Sequence, residues 1–252
     1  MTLGGLGLFL LEAGMGTALL LLFFPAGTLG KGFFFLHGAL AAAFLGGAWL
    51  ARPAGYPPAA GAASAILVLL YAVLSQLGRA GAAKPALALG AAGAAWALAG
   101  VALSAPRPHG DGWTVAGAFL GGLFLGAVLL TMNLGHWYLV SRSLPFRLLS
   151  RGAALFAALA AGRTLLLAAA LVAGPNPAGL ASLLSLEQDA LFFLFRVAWG
   201  IVGPLALSYF IWKTADMRSN QAATGLLYVA LVFVLIGELL SSYLTVATGF
   251  PA

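Results

Sequence analysis

Cysteine is absent from this chain, and charge is nearly so. Without thiols there is no disulfide, no thioether-attached haem and no thiolate ligand for zinc or an iron–sulfur cluster, so a cofactor must enter through histidine, carboxylate or backbone ligands. Asp, Glu, Lys and Arg make up only 7% of the 252 residues, while 62% are hydrophobic; an ordinary soluble domain carries roughly 25% charged residues. So little polar surface cannot keep a folded chain in water. The signatures of several enzyme classes are missing as well. There is no P-loop, no GxSxG elbow, no HExxH pair and no acidic metal cluster, which argues against ATP hydrolysis, serine hydrolysis and metalloproteolysis. No basic residue precedes the first apolar run, so that run lacks the n-region of a secretory signal and reads as a retained span.

What is present is a succession of apolar runs of bilayer length. They cover approximately residues 3–26, 33–51, 62–77, 86–105, 113–141, 152–173, 190–212 and 222–246. The expected fold is therefore all-α: one integral membrane domain over residues 1–252, a polytopic bundle of about eight transmembrane spans. The stretch RPAGYPPAAG after the second run reads as a loop, because Pro and Gly leave backbone groups that lipid cannot satisfy. GLASLLSLEQDA reads as a short amphipathic segment at the interface. Pro204 should kink the seventh span. In the fifth, Gly117, Gly121, Gly122 and Gly126 should let a neighbouring helix approach closely and make this span central.

The net charge of +6 comes from basic residues scattered singly over short loops, which is a topology signal and not a nucleic-acid patch. Loops after the odd-numbered spans hold Lys31, Arg79, Lys84, Arg142, Arg147, Arg151, Lys213 and Arg218. The opposite loops hold Arg52 and Arg107 beside Asp111, Glu187 and Asp189. The positive-inside rule places the first set in the cytoplasm and both termini on the non-cytoplasmic side. The wealth of Ala, Gly and Leu and the preference for Arg over Lys suggest a bacterial protein of the cytoplasmic (inner) membrane.

Charges at membrane depth cost about 2.5–3.5 kcal/mol each even on a lenient scale, so those present need a partner or a task. Glu12, Arg163, Arg196 and Glu238 all fall roughly 9–15 Å from the outer surface when counted along their helices. Two carboxylates and two guanidinium groups in one layer read either as a structural ion-pair network or as a substrate and proton site. His37 and His136 each lie about 7 Å from the inner end of their spans. On two helices at one depth they are candidate ligands for a single b-type haem, with Gly38 or Gly135 leaving room for the ring; hydrogen bonding to a neighbouring helix is the simpler role. His109 reads as a solvated loop residue. FFFLH, Trp137 and Tyr138 read as aromatic belt. FIWKTADMRSNQAATG reads as an interfacial anchor and helix start capped by Ser219 or Asn220, or else as a docking site for a further subunit.

The eight-span form and the closing GELLSSYL (residues 237–244) resemble the quinol-interacting membrane anchors of molybdenum oxidoreductases, in architecture and over this one helix. With the charged layer read as a quinone or proton site and His37 with His136 as ligands of one haem, the expectation is a membrane subunit of a respiratory or other redox complex, whose other subunits are its partners besides the lipid bilayer. Two other classes stay open: a small-solute or proton-coupled transporter using the same charged layer, and a scaffold or assembly protein in which that layer only holds helices together.

Overall fold

Helices dominate because a chain this apolar can satisfy its backbone in lipid only by hydrogen-bonding within each segment. A computed structural model describes residues 3–25, 28–104, 111–141, 144–145, 147–185 and 188–252, and among them there is no strand. Ten α-helices follow in order: α1 (Leu3–Leu21), α2 (Lys31–Ala51), α3 (Pro58–Gln76), α4 (Ala80–Ser104), α5 (Asp111–Val140), α6 (Arg147–Ala173), α7 (Pro177–Leu184), α8 (Gln188–Val197), α9 (Gly203–Asp216) and α10 (Asn220–Thr248). A π-helical turn, Ala198–Val202, joins α8 to α9 in one continuous span. Counting that span once, eight of the described helices are long and apolar enough to cross a membrane. The protein is thus a multi-pass helical bundle of membrane type. Large side chains such as Leu50, Ile66, Trp96, Leu165, Val172 and Leu194 stand exposed around it, as lipid contact requires.

Several boundaries differ from the sequence expectation, each for a local reason. The segment read as a loop before the third span already contains helix: Pro57 is the N-cap and Pro58 the first residue of α3, a position where the missing N–H costs nothing. The fourth span starts at Ala80 and not near residue 86, and carries Pro85 inside it. At Pro204 the distortion takes the form of the π turn just before it, where the N–H of Gly203 reaches back five residues to the carbonyl of Ala198. Ser219 is the N-cap of α10, but its side chain makes no capping hydrogen bond. The short α7 is capped by Asn176, whose side chain accepts from the Gly179 N–H at 3.0 Å.

Helices α1 and α5 are the most buried spans, and α5 packs against α1, α4, α6 and α10. The glycines of α5 serve two faces. Gly122 and Gly126 meet the backbone of α1 at Gly16, where any Cβ would run into main-chain atoms of the other helix. Gly117 and Gly121 look instead toward the buried charges. Alternation of the spans gathers Lys31, Arg79, Lys84, Arg147, Arg151, Lys213 and Arg218 at one end, called here the basic end, while Arg52 lies at the other. Arg107, His109, Arg142 and Glu187 lie outside the described residues, as does the side chain of Asp111.

The aromatic belt is also less of a belt than the sequence suggests. Phe33 and Phe34 are buried, and Phe33 packs on His37, Phe24 and Trp137. Tyr138 is buried too; its hydroxyl donates to the Pro145 carbonyl and accepts from the Leu149 N–H, tying the α5–α6 turn to α5.

Candidate functional site

Glu12 on α1, Arg163 on α6, Arg196 at the end of α8 and Glu238 on α10 meet inside the bundle, and each is less than 5% exposed. Glu238 is the hub. Arg163 donates to it from Nε to Oε1 at 3.1 Å and from Nη2 to Oε2 at 2.7 Å, and Arg196 Nη2 shares Oε1 at 3.1 Å. A carboxylate that accepts two bonds from one edge of one guanidinium and a contact from a second guanidinium has its lone pairs well used, which is the condition under which buried charges are tolerated.

Glu12 is placed differently. It shares the layer but forms neither of the two ion pairs found among the described residues. Its one described hydrogen bond comes from the Ser242 hydroxyl at 3.0 Å, and the same hydroxyl also lies 3.0 Å from the Glu238 carbonyl. Arg196 is the least satisfied cation: its Nε and Nη1 find no hydrogen-bond acceptor among the described residues. Its guanidinium rests against Gly200 and Gly237, whose backbones touch, so the π turn and α10 come together around it without side chains.

Helix α10 organises this arrangement through one local pattern. Ser241 and Ser242 follow Glu238 by three and four residues, so all three project on one side of the helix. Ser241 accepts from Arg163 Nη2 at 2.8 Å, and Ser242 serves Glu12. Beyond α10 the chain bends back at Gly249, in the left-handed conformation that glycine favours (φ +70°). Phe250, Pro251 and Ala252 are then buried, and the Ala252 main-chain oxygen accepts from Ser241 Oγ and, at 3.3 Å, from Arg163 Nη2. Gly121 of α5 forms the floor: a Cβ there would sit 2.7 Å from Glu238 Oε2 and 3.6 Å from Glu12 Oε2.

Beside Glu12 lies a cavity of about 10 Å³, bordered by Thr114, Gly117, Ser241, Thr245 and Pro251 among others. That is about the volume one water needs, and far less than a quinone ring. Thr114 Oγ1 faces no protein partner among the described residues.

The two histidines sit in different surroundings. His37 is fully buried on α2, donating from Nδ1 to the Phe33 carbonyl at 2.7 Å and leaving Nε2 without a described partner. His136 is exposed on α5 and is hydrogen-bonded through Nδ1 to the Tyr228 hydroxyl at 3.3 Å. A haem between them does not fit, because the glycines expected to clear space for its ring are covered. A Cβ on Gly38 would meet Tyr71 and Ala72 of α3 at 2.9 Å, and one on Gly135 would meet Thr224 of α10 at 2.7 Å.

Sequence alone singles out the four charges but not the residues that seat them: Ser241, Ser242, Gly121, Gly200 and Gly237. The serines carry a legible signal in their spacing from Glu238. The glycines do not, since which face each one serves depends on helix order around the bundle. No protein-family model matches the chain, and neither a curated protein nor a solved structure matches it.

Proposed function

We propose that this chain is a quinone-interacting membrane subunit of a redox complex, in which the charged layer handles the protons that accompany quinol chemistry. One observation carries the reading. The segment GELLSSYL, on which the resemblance to quinol-interacting anchors rests, supplies the hub of the layer: Glu238 binds both guanidinium groups, Ser241 meets Arg163 and Ser242 meets Glu12. Within that layer Glu12 is the proton-exchanging group. It is the carboxylate outside the ion pairs, and its cavity has room for one water with Thr114 and the Ala252 region as further polar contacts. The basic end faces the cytoplasm, and the layer lies nearer the outer surface of a bacterial cytoplasmic membrane. The quinone ring docks outside the layer, since the cavity at Glu12 is too small for it.

The test is protection and turnover in native membranes. A short-chain quinone analogue should raise the thermal midpoint of the wild-type protein, and quinol oxidation by the assembled complex should fall in Glu12→Gln while quinone protection persists. Absence of any protection by quinone analogues would remove the reading.

A second reading, a proton-coupled transporter of small solutes, draws on the same feature, a carboxylate left out of the ion pairs beside a water-sized space. It requires that proton-linked flux in vesicles be lost in the Glu12→Gln, Glu238→Gln double variant. The scaffold reading draws on the completeness of the Glu238 clamp, and requires that exchanging Arg163 and Glu238 leave both fold and phenotype intact.

A further inference from the structure

A second cavity lies at the other end of the bundle from the charged layer, and nothing above uses it. It holds about 190 Å³ where α1, α2, α3 and α4 come together at the basic end. Its walls are apolar and buried, among them Leu21, Leu29, Phe34 and Leu87, with Tyr71 the main polar side chain in the wall. Its rim is cationic. Lys31 and Lys84 both line it and both are exposed. The Lys31 ammonium lies over the turn that ends α3, 2.7 Å from where a Cβ on Gly78 would be.

Neither lysine has a carboxylate to neutralise it among the described residues. The two ion pairs found there both belong to the charged layer, and the sequence holds no Asp or Glu at all between Glu12 and Asp111. Helices α2 and α4 also begin at this rim with no acidic residue in the first turn, so their peptide dipoles add to the positive potential of the ammonium groups. The result is a hollow that is oily within and positive at its lip, set at the end of a membrane-length bundle. A free anion would gain nothing from the walls, and a neutral apolar molecule nothing from the rim.

We propose that this cavity is a binding site for an anionic phospholipid, with its phosphate between Lys31 and Lys84 and the first part of an acyl chain against Phe34 and Leu87. A zwitterionic lipid brings its own ammonium to the same rim and is repelled there, so the site selects net negative headgroups of the phosphatidylglycerol type. The site is independent of the redox reading and survives its failure.

Native mass spectrometry of the purified protein, relipidated with equal amounts of phosphatidylglycerol and phosphatidylethanolamine of matched chains, tests this. Phosphatidylglycerol should be retained preferentially. In the Lys31→Gln, Lys84→Gln double variant its retention should fall roughly tenfold or more, while Lys213→Gln, at the same end on α9, should change nothing. Ala80→Trp keeps both lysines and places an indole at the exposed edge of the cavity; it too should lose the lipid, and it keeps the test decisive where the double variant does not fold. Equal retention of the two lipids, or retention untouched by both variants, would overturn the proposal. Displacement by inorganic phosphate at concentrations comparable to the lipid would reduce the site to an anion site and overturn it as well. Displacement by an uncharged short-chain quinone would do the same, by giving the pocket to the redox reading.

Discussion

The charged layer and the basic-end cavity both depart from simple apolar packing, and they solve opposite problems. At the layer, two carboxylates and two guanidinium groups are enclosed with almost no free space, and Glu238 alone answers both cations. At the cavity, two ammonium groups stand at the surface with ample space behind them and no anion among the described residues to answer them. Burial makes the difference. Inside, an unmatched charge costs several kcal/mol, so partners must come from the chain itself. At the surface, water and headgroups screen the charge, so a partner from outside is sufficient.

The same contrast exists within the layer between Glu238 and Glu12, and the strongest test breaks it. Glu238→Ala should cost about 3–5 kcal/mol, because both arginines would be left buried and unpaired; a large fall in thermal midpoint in detergent would register it. Glu12→Gln should cost no more than about 1 kcal/mol, since an amide oxygen still accepts from Ser242, yet under the proposed function it should lower quinol oxidation. Equal destabilisation by the two substitutions would show that the layer does not divide into a structural and an exchangeable carboxylate.

Next in size is the α1–α5 contact beneath the layer. Gly16→Val should cost about 1–3 kcal/mol, because its side chain meets the Gly122 backbone and not a side chain that can turn aside. A midpoint within error of wild type would contradict the close approach of these helices. Smallest is Lys31→Gln at the cavity rim, expected to alter stability by less than about 0.5 kcal/mol. Its effect should appear in phosphatidylglycerol retention and nowhere else.

Much of the architecture is legible in the residues alone. Eight apolar runs announce eight spans, and the alternation of basic loops gathers Lys31, Arg79, Lys84, Arg147, Arg151, Lys213 and Arg218 at one end. Helix ends are less legible, because proline has opposite meanings at neighbouring positions: Pro58 opens α3 and Pro85 lies within α4. Counting residues inward from each helix end draws attention to Glu12, Arg163, Arg196 and Glu238, since depth depends only on rise along a helix. Facing direction does not follow from rise. His37 and His136 share a depth by the same count, yet one packs on Phe33 and the other turns to Tyr228.

By itself, then, the sequence determined the solvent this chain folds in, the number of its spans and the depth of its charges. These depend on local composition and on distance along single helices. Only the tertiary structure decided that Glu238 takes both arginines, that Glu12 stands apart beside a water-sized cavity, and that an oily pocket opens under Lys31 and Lys84. Each of those depends on which helix faces which, and in a membrane that order is set by close packing of small residues such as Gly16, Gly122, Gly200 and Gly237. Hydrophobicity, being nearly uniform along this chain, carries no such information.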